Sequence, residues 1–235
     1  CWEFPNAVPS DWEAQNLNGK NNPKSIDDMK ASLDAAVIKK GVYTLVFHPH
    51  GWMENTQVVE LINHAVTKYG KKVKFLNFAE VQQRLDANLL DGNPLRDAQG
   101  RDNGVRLLDL NDDGYQDVVI GNAATQRTRV WNNHSQTWIE QELPFKIVDD
   151  EGQDSGARFV PNFDLRGDVV AVKAAFDESS FAYAYTREGW SAMQDLVGAM
   201  AKGDFHDGAR FRDLDGDGKP EFLGAGSGVY RWDGE

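Results

Sequence analysis

One four-residue pattern returns at a constant interval along this chain. Gly104-Val105-Arg106-Leu107, Gly156-Ala157-Arg158-Phe159 and Gly208-Ala209-Arg210-Phe211 lie 52 residues apart, and the same step carries Trp138 onto Trp190 and Asp102 onto Asp154. A fixed period of this size marks stacked supersecondary units, each too small to bury its apolar face alone. The residues between the copies are short β-like runs broken by Gly, Asp and Asn, which fits propeller blades; a β-sandwich with coincidental spacing is the alternative. Blades are expected to begin near residues 104, 156 and 208. Three do not close a ring, because a propeller needs about four or more.

Two of the repeats carry a nine-residue acidic loop at the same place. The first is Asp109-Leu110-Asn111-Asp112-Asp113-Gly114-Tyr115-Gln116-Asp117, and the second is Asp213-Leu214-Asp215-Gly216-Asp217-Gly218-Lys219-Pro220-Glu221. Positions 1, 3, 5 and 9 offer oxygen side chains, and position 6 is Gly in both. Calcium takes six to eight oxygens, and alternating acidic residues in a tight loop can turn inward around it. Gly114 and Gly218 permit the turn that aims the carbonyl of Tyr115 or Lys219 at the ion. An EF-hand is excluded: its twelfth position would be Ile120 or Gly224 instead of Glu, and strand-like sequence follows each loop. Two structural calcium ions are therefore expected. The middle repeat places Pro161, Phe163, Leu165 and Val169 at the matching positions, so the remnant Asp164-Leu165-Arg166-Gly167-Asp168 is expected to bind none. Over residues 100 to 235 the pattern resembles the FG-GAP or VCBS repeat of integrin-type propellers and secreted bacterial proteins.

Residues 1 to 88 read differently. Ser25-Ile26-Asp27-Asp28 can cap a helix that buries Met29, Leu33, Ala36 and Val37 and ends at Gly41. A second helix is expected over Asn55 to Tyr69, with Val58, Leu61, Ile62 and Ala65 inward, and a short third over Glu80 to Leu85. Val42-Tyr43-Thr44-Leu45-Val46-Phe47 is an almost unbroken apolar run, as in a strand covered on both faces, and Lys72 to Phe78 reads as another strand. Strand, helix, strand in that order predicts a βαβ unit with a parallel sheet. The turn-forming clusters of residues 89–103 are expected to be a linker.

The first of these runs ends in His48-Pro49-His50-Gly51-Trp52. A titratable pair at the end of a parallel strand is where α/β enzymes place chemistry, although histidines that merely cap a strand give the same spacing. Leu45-Val46-Phe47-His48-Pro49, then a helix, then Lys74-Phe75-Leu76-Asn77-Phe78-Ala79-Glu80 and Arg84-Leu85, resembles the C-terminal end of a polysaccharide deacetylase (NodB-like) domain. That family has a distorted β/α barrel with a divalent metal, usually zinc, that activates water to remove acetyl groups from sugars. The resemblance implies a partial β/α barrel here, His48 as general acid, and Trp52 and Trp12 as sugar-facing aromatics. The family's early Asp-Asp pair and His-x-x-x-His motif do not occur in this chain, so zinc or another divalent metal is expected only in a full-length deacetylase domain.

A net charge of -12 argues against nucleic acid and anionic membranes as partners. No apolar run is long enough for a membrane span. Cys1 is the single cysteine, no signal-like segment follows it, and the last residues stop inside a repeat, so the chain is expected to be a piece of a longer one. Loops with a calcium Kd of about 10⁻⁴ to 10⁻³ M would be filled outside the cell, in an extracellular or periplasmic setting. The expected function is thus a secreted carbohydrate deacetylase fragment joined to a calcium-binding propeller that recognises a carbohydrate or cell-surface ligand. An adhesion or interaction protein without enzymatic activity is the alternative.

Overall fold

The computed structural model describes residues 2–163, 169–173, 179–202, 210–224 and 228–231. The chain divides into two compact units, Cys1–Leu85 and Asp86–Glu235. No helix among the described residues is long and apolar enough to cross a membrane.

The first unit is helical: α1 (Asp11–Asn18), α2 (Pro23–Ile38), α3 (Asn55–Tyr69) and α4 (Phe78–Arg84), with a 3₁₀ turn over Gly70–Lys72. Its helices start where local chemistry lets them. Ser10 and Glu13 form a reciprocal capping box on α1, and Asn22 caps α2 with Pro23 in its first turn, three residues before the expected Ser25. Ala14, Ile26, Met29, Leu33, Leu61 and Ala65 make the core, with Val37, Tyr43, Leu45 and Val73 packed against it. Ile62 was expected inward but lies exposed with Val59 and Val66 on a second apolar stripe of α3.

The parallel sheet, and with it the partial β/α barrel, is absent from the described part of this unit. Residues 42–47 and 73–77 belong to no strand. Tyr43 and Leu45 reach the helical core, while Val42, Val46 and Phe47 are exposed. A parallel strand needs a ladder of evenly spaced backbone bonds to a neighbour. Here the segment meets scattered partners: the Ala7 N–H donates to the Thr44 carbonyl, the Val46 N–H to Asn6 Oδ1, and the Thr44 and Tyr43 hydroxyls to the Pro5 and Met29 carbonyls. The apolar run has strand propensity without the tertiary partner that would make it a strand.

A polar cluster ties α2 to α3. Asp34 accepts hydrogen bonds from His64 Nε2 at 2.7 Å, Lys68 Nζ at 2.8 Å and Tyr69 Oη at 2.7 Å. Desolvation alone would raise its pKa, but these three donors outweigh it and hold the carboxyl well below the usual carboxylate range. A depressed carboxyl adds stability that is present above its unfolded pKa and is lost as pH falls. Asp34→Asn is therefore expected to cost about 1–2 kcal/mol at neutral pH, with the difference from wild type shrinking below pH of about 4. Helical circular dichroism during acid titration of both proteins checks this.

Among the described residues the second unit consists of antiparallel sheets with one α-helix. β1 (Val105–Leu108), β2 (Asp117–Gly121), β3 (Gln126–Asn132) and β4 (Thr137–Glu142) form a meander in sequence order, and β5 (Arg158–Val160), β6 (Val170–Lys173), β7 (Phe181–Thr186) and β8 (Gly189–Ala192) repeat it. After α5 (Gln194–Lys202) come β9 (Arg210–Arg212), β10 (Glu221–Gly224) and β11 (Gly228–Tyr230), paired in the order β11-β10-β9. One core, including Leu110, Val119, Leu143, Ile147, Ala171 and Tyr185, lies between the first two sheets. A second gathers Val160, Val172, Ala182, Leu196, Met200 and Phe222 from the middle sheet, α5 and the last sheet. β2 is buried at all five positions, and Trp190 Nε1 donates to Thr128 Oγ1 at 2.8 Å, pinning the second sheet to the first.

Residues 89–103 are not a linker; they are the opening turn of the repeat. Arg96 bridges Asp102 and, 52 residues on, Val148 bridges Asp154. Asp97 accepts from the Gln99 and Arg101 amides just as Asp149 accepts from those of Glu151 and Gln153. Leu90 is fully buried, and Arg129 Nη1 donates to the Leu89 carbonyl. Polar turn residues here serve a packed hairpin, and their composition alone does not separate that from a tether.

Candidate functional site

The two acidic loops share three side-chain-to-backbone bonds and differ at Oδ1 of position 1, which accepts from the position 5 amide in the first (Asp113 N) and from the position 4 amide in the second (Gly216 N). Position 1 accepts from the position 6 amide (Gly114 N to Asp109 Oδ2, 2.8 Å; Gly218 N to Asp213 Oδ2, 2.9 Å). Position 3 accepts from the position 5 amide (Asp113 N to Asn111 Oδ1, 3.3 Å; Asp217 N to Asp215 Oδ1, 3.2 Å). Position 5 accepts from position 7, with Tyr115 N and Lys219 N each 2.9 Å from their partners Asp113 and Asp217. Positions 4 and 6 are left-handed in both, Asp112 and Gly114 at φ 55° and 77°, Gly216 and Gly218 at 77° and 88°. Short Asp and Asn side chains bonding their own backbone amides impose this turn, and Gly takes three of the four left-handed positions without strain, Asp112 the fourth.

Position 9 anchors each loop to the sheet, and here the loops part. Asp117 is fully buried; its Oδ2 accepts from Leu110 N at 3.0 Å and its Oδ1 from Trp131 N at 2.8 Å. Burial, reinforced by the charges of Asp113 and Asp109 and only partly offset by those two amides, pushes the Asp117 carboxyl up to about 6. Glu221 Oε2 accepts from Leu214 N in the same way, at 2.8 Å, but its other oxygen meets Arg231. Oxygens of Asp213, Asp215 and Glu221 all lie within 4.8 Å of one another, the one such group of three among the described residues. This donor set, carboxylates alone and close together, suits a hard divalent cation. The first loop carries Asn111 where the second has Asp215, and both Asp117 oxygens are engaged by backbone. The remnant at residues 164–168 lies outside the described residues.

The other candidate residues lie in the first unit. His48 follows residues 42–47, and its partner is one that spacing did not reveal: Asp11, in the first turn of α1. Asp11 is 1 % exposed and accepts from His48 N at 2.6 Å, His48 Nδ1 at 2.8 Å and Trp12 N at 2.8 Å. A carboxylate on Nδ1 holds the proton there and leaves Nε2 to exchange protons or bind a ligand. Trp52 packs 5.1 Å from the His48 ring and 5.0 Å from His50, which itself stacks on His48 at 5.8 Å. Trp12 is exposed on α1 and, among the described residues, makes no ring contact with that trio. His64 is drawn away to Asp34. Asp11 stands 37 residues upstream of His48, and the visible signal for it was the Ser10-Asp11-Trp12-Glu13 helix start.

No family model matches the chain, and no curated protein or solved structure matches it.

Proposed function

We propose that the second unit is a calcium-stabilised, propeller-type repeat module that presents a rigid surface to a carbohydrate or cell-surface ligand outside the cell. The observation that carries this reading is the shared turn of the two loops, with the oxygens of Asp213, Asp215 and Glu221 brought within 4.8 Å of one another in the second. Asp109, Asn111, Asp113 and Asp117, with the Tyr115 carbonyl, would hold one ion; Asp213, Asp215, Asp217 and Glu221, with the Lys219 carbonyl, would hold the other. The ion would supply charge neutralisation and a cross-link between the loop and the strands that follow it. The three consecutive sheets, each covering the next, support a propeller over a sandwich.

Calorimetric titration of the chelator-treated chain with calcium is expected to show two sites and a rise in the unfolding midpoint. Each site should add about 1.4 kcal/mol at a calcium concentration roughly ten times its Kd. No heat and no change in midpoint would overturn the reading.

A second reading rests on the Asp11–His48 pair. An oriented histidine with Nε2 available, flanked by Trp52, suits the general acid that protonates the group leaving an acetylated sugar. In this reading the first unit is the acid half of a polysaccharide deacetylase. The metal that activates water would be held by residues this chain does not supply. Acetate release from N-acetylated oligosaccharides, by a protein joining this segment to a metal-binding half, separates it from a purely adhesive role.

A further inference from the structure

The second loop already faces a cation of its own. Arg231 Nη2 bonds Asp215 Oδ2, lies 3.0 Å from Glu221 Oε1 and sits 3.5 Å from Asp217 Oδ2, while its Nε donates to Glu221 Oε1 at 3.3 Å. Two of these carboxylates, Asp215 and Glu221, belong to the converging group. We propose that Arg231 is a built-in competitor for calcium, so that the second loop loads only when the guanidinium leaves it. This rests on reading the loop as a calcium site. Oxygens that coordinate a dication at about 2.3–2.6 Å cannot keep a guanidinium in hydrogen-bond contact without bringing two cations together at short range.

The fold does not require an arginine there. Phe222 pairs with Tyr230, so one further step along the ladder brings Arg231 beside Glu221. In the first sheet Val118 pairs with Arg129, and the same step brings Val130 beside Asp117. Val130 is buried in the core. The arginines of β3 are engaged elsewhere: Arg127 pairs with Asp91 and Glu140, and Arg129 with Glu140. The same structural position is thus apolar beside one loop and cationic beside the other.

Two consequences follow for the folded chain. The first loop fills at lower calcium than the second, which widens the range over which the module responds. Filling the second loop releases Arg231, the residue that follows β11, so the edge of the last sheet changes when calcium rises.

The test is calcium titration of the full chain by calorimetry, with ¹⁵N NMR following the Gly114 and Gly218 amides, one in each loop, and the Arg231 Nε–H. In wild type the Gly114 amide should move first, and the Arg231 signal should move together with Gly218. Arg231→Ala should tighten the second site by about five- to tenfold and leave the first unchanged, and Arg231→Lys should keep most of the wild-type weakness. An Arg231→Ala site of unaltered or weaker affinity overturns the competitor role while the calcium reading survives. If neither loop binds calcium in wild type or variant, both fall. Should Arg231→Ala not fold, the wild-type signal decides: an Arg231 Nε–H unmoved while Gly218 titrates overturns the proposal.

Discussion

Gly104→Ala is expected to destabilise the second unit by about 3–5 kcal/mol. Gly104 has φ 66°, and a Cβ built there would lie 2.5 Å from the Gly121 carbonyl oxygen and 3.0 Å from Val148 Cγ2. Neither neighbour can give way cheaply. The Gly121 carbonyl accepts from Ile147 and Val148, and the Gly121 amide donates to the Gly104 carbonyl. These bonds tie the first sheet to the segment that leads into the second. The repeat supplies its own control: Gly156, one period later, has φ 86° but only Lys173 Cγ at 3.8 Å in its way. Gly156→Ala should cost no more than about 1–2 kcal/mol, the conformational penalty alone. Urea unfolding followed by tryptophan fluorescence compares the two, and equal losses would show that the close approach at Gly121 is not what the glycine serves.

Asp11→Ala is expected to cost about 2–4 kcal/mol in the first unit, because three donors lose a buried acceptor at once. Two of them are on His48, so the substitution also frees the ring that Asp11 holds. His48→Ala removes the ring but leaves Asp11 its two amide donors, and should cost less stability, about 1 kcal/mol. Where acetate release is measurable, the order reverses in meaning: His48→Ala should lower turnover by about 10²–10⁴-fold, the usual contribution of a positioned general acid. Asp11→Asn is the sharper probe of orientation, since it keeps the size and loses the charged acceptor on Nδ1. Thermal melts and turnover read together decide the case. A stable Asp11→Asn protein with wild-type turnover would show that the carboxylate does not prepare His48 for catalysis.

Much of the second unit was legible because its information is local or periodic. The acidic loops bond to their own backbone within six residues, so residue types at fixed offsets nearly determine the turn. The 52-residue step marked where each sheet begins, and the turns at 97–101 and 149–153 show that it extends further upstream than the Gly-x-Arg copies indicated. The helix over Asn55–Tyr69 was read from its apolar spacing, and the structure gives the same limits.

What the residues alone did not settle depended on distant partners. Val42–Phe47 has the composition of a buried strand, but strand formation needs a neighbouring ladder, and a chain's own propensity cannot supply one. Ile62 fits the inward face of an isolated helix, yet which of the two apolar stripes of α3 is covered was decided by how α2 packs on it. Asp11 and His48 meet across 37 residues, and Arg231 reaches back across 16 to Asp215, through side-chain contacts that no local pattern encodes. The sequence by itself determined the repeat, the loop turns and the limits of the Asn55–Tyr69 helix, because those bonds close within a few residues or recur at a fixed period. Only the tertiary structure decided which apolar faces are covered, which histidine gains a carboxylate and which loop gains an arginine, because each of those outcomes is a contact between segments far apart in the chain.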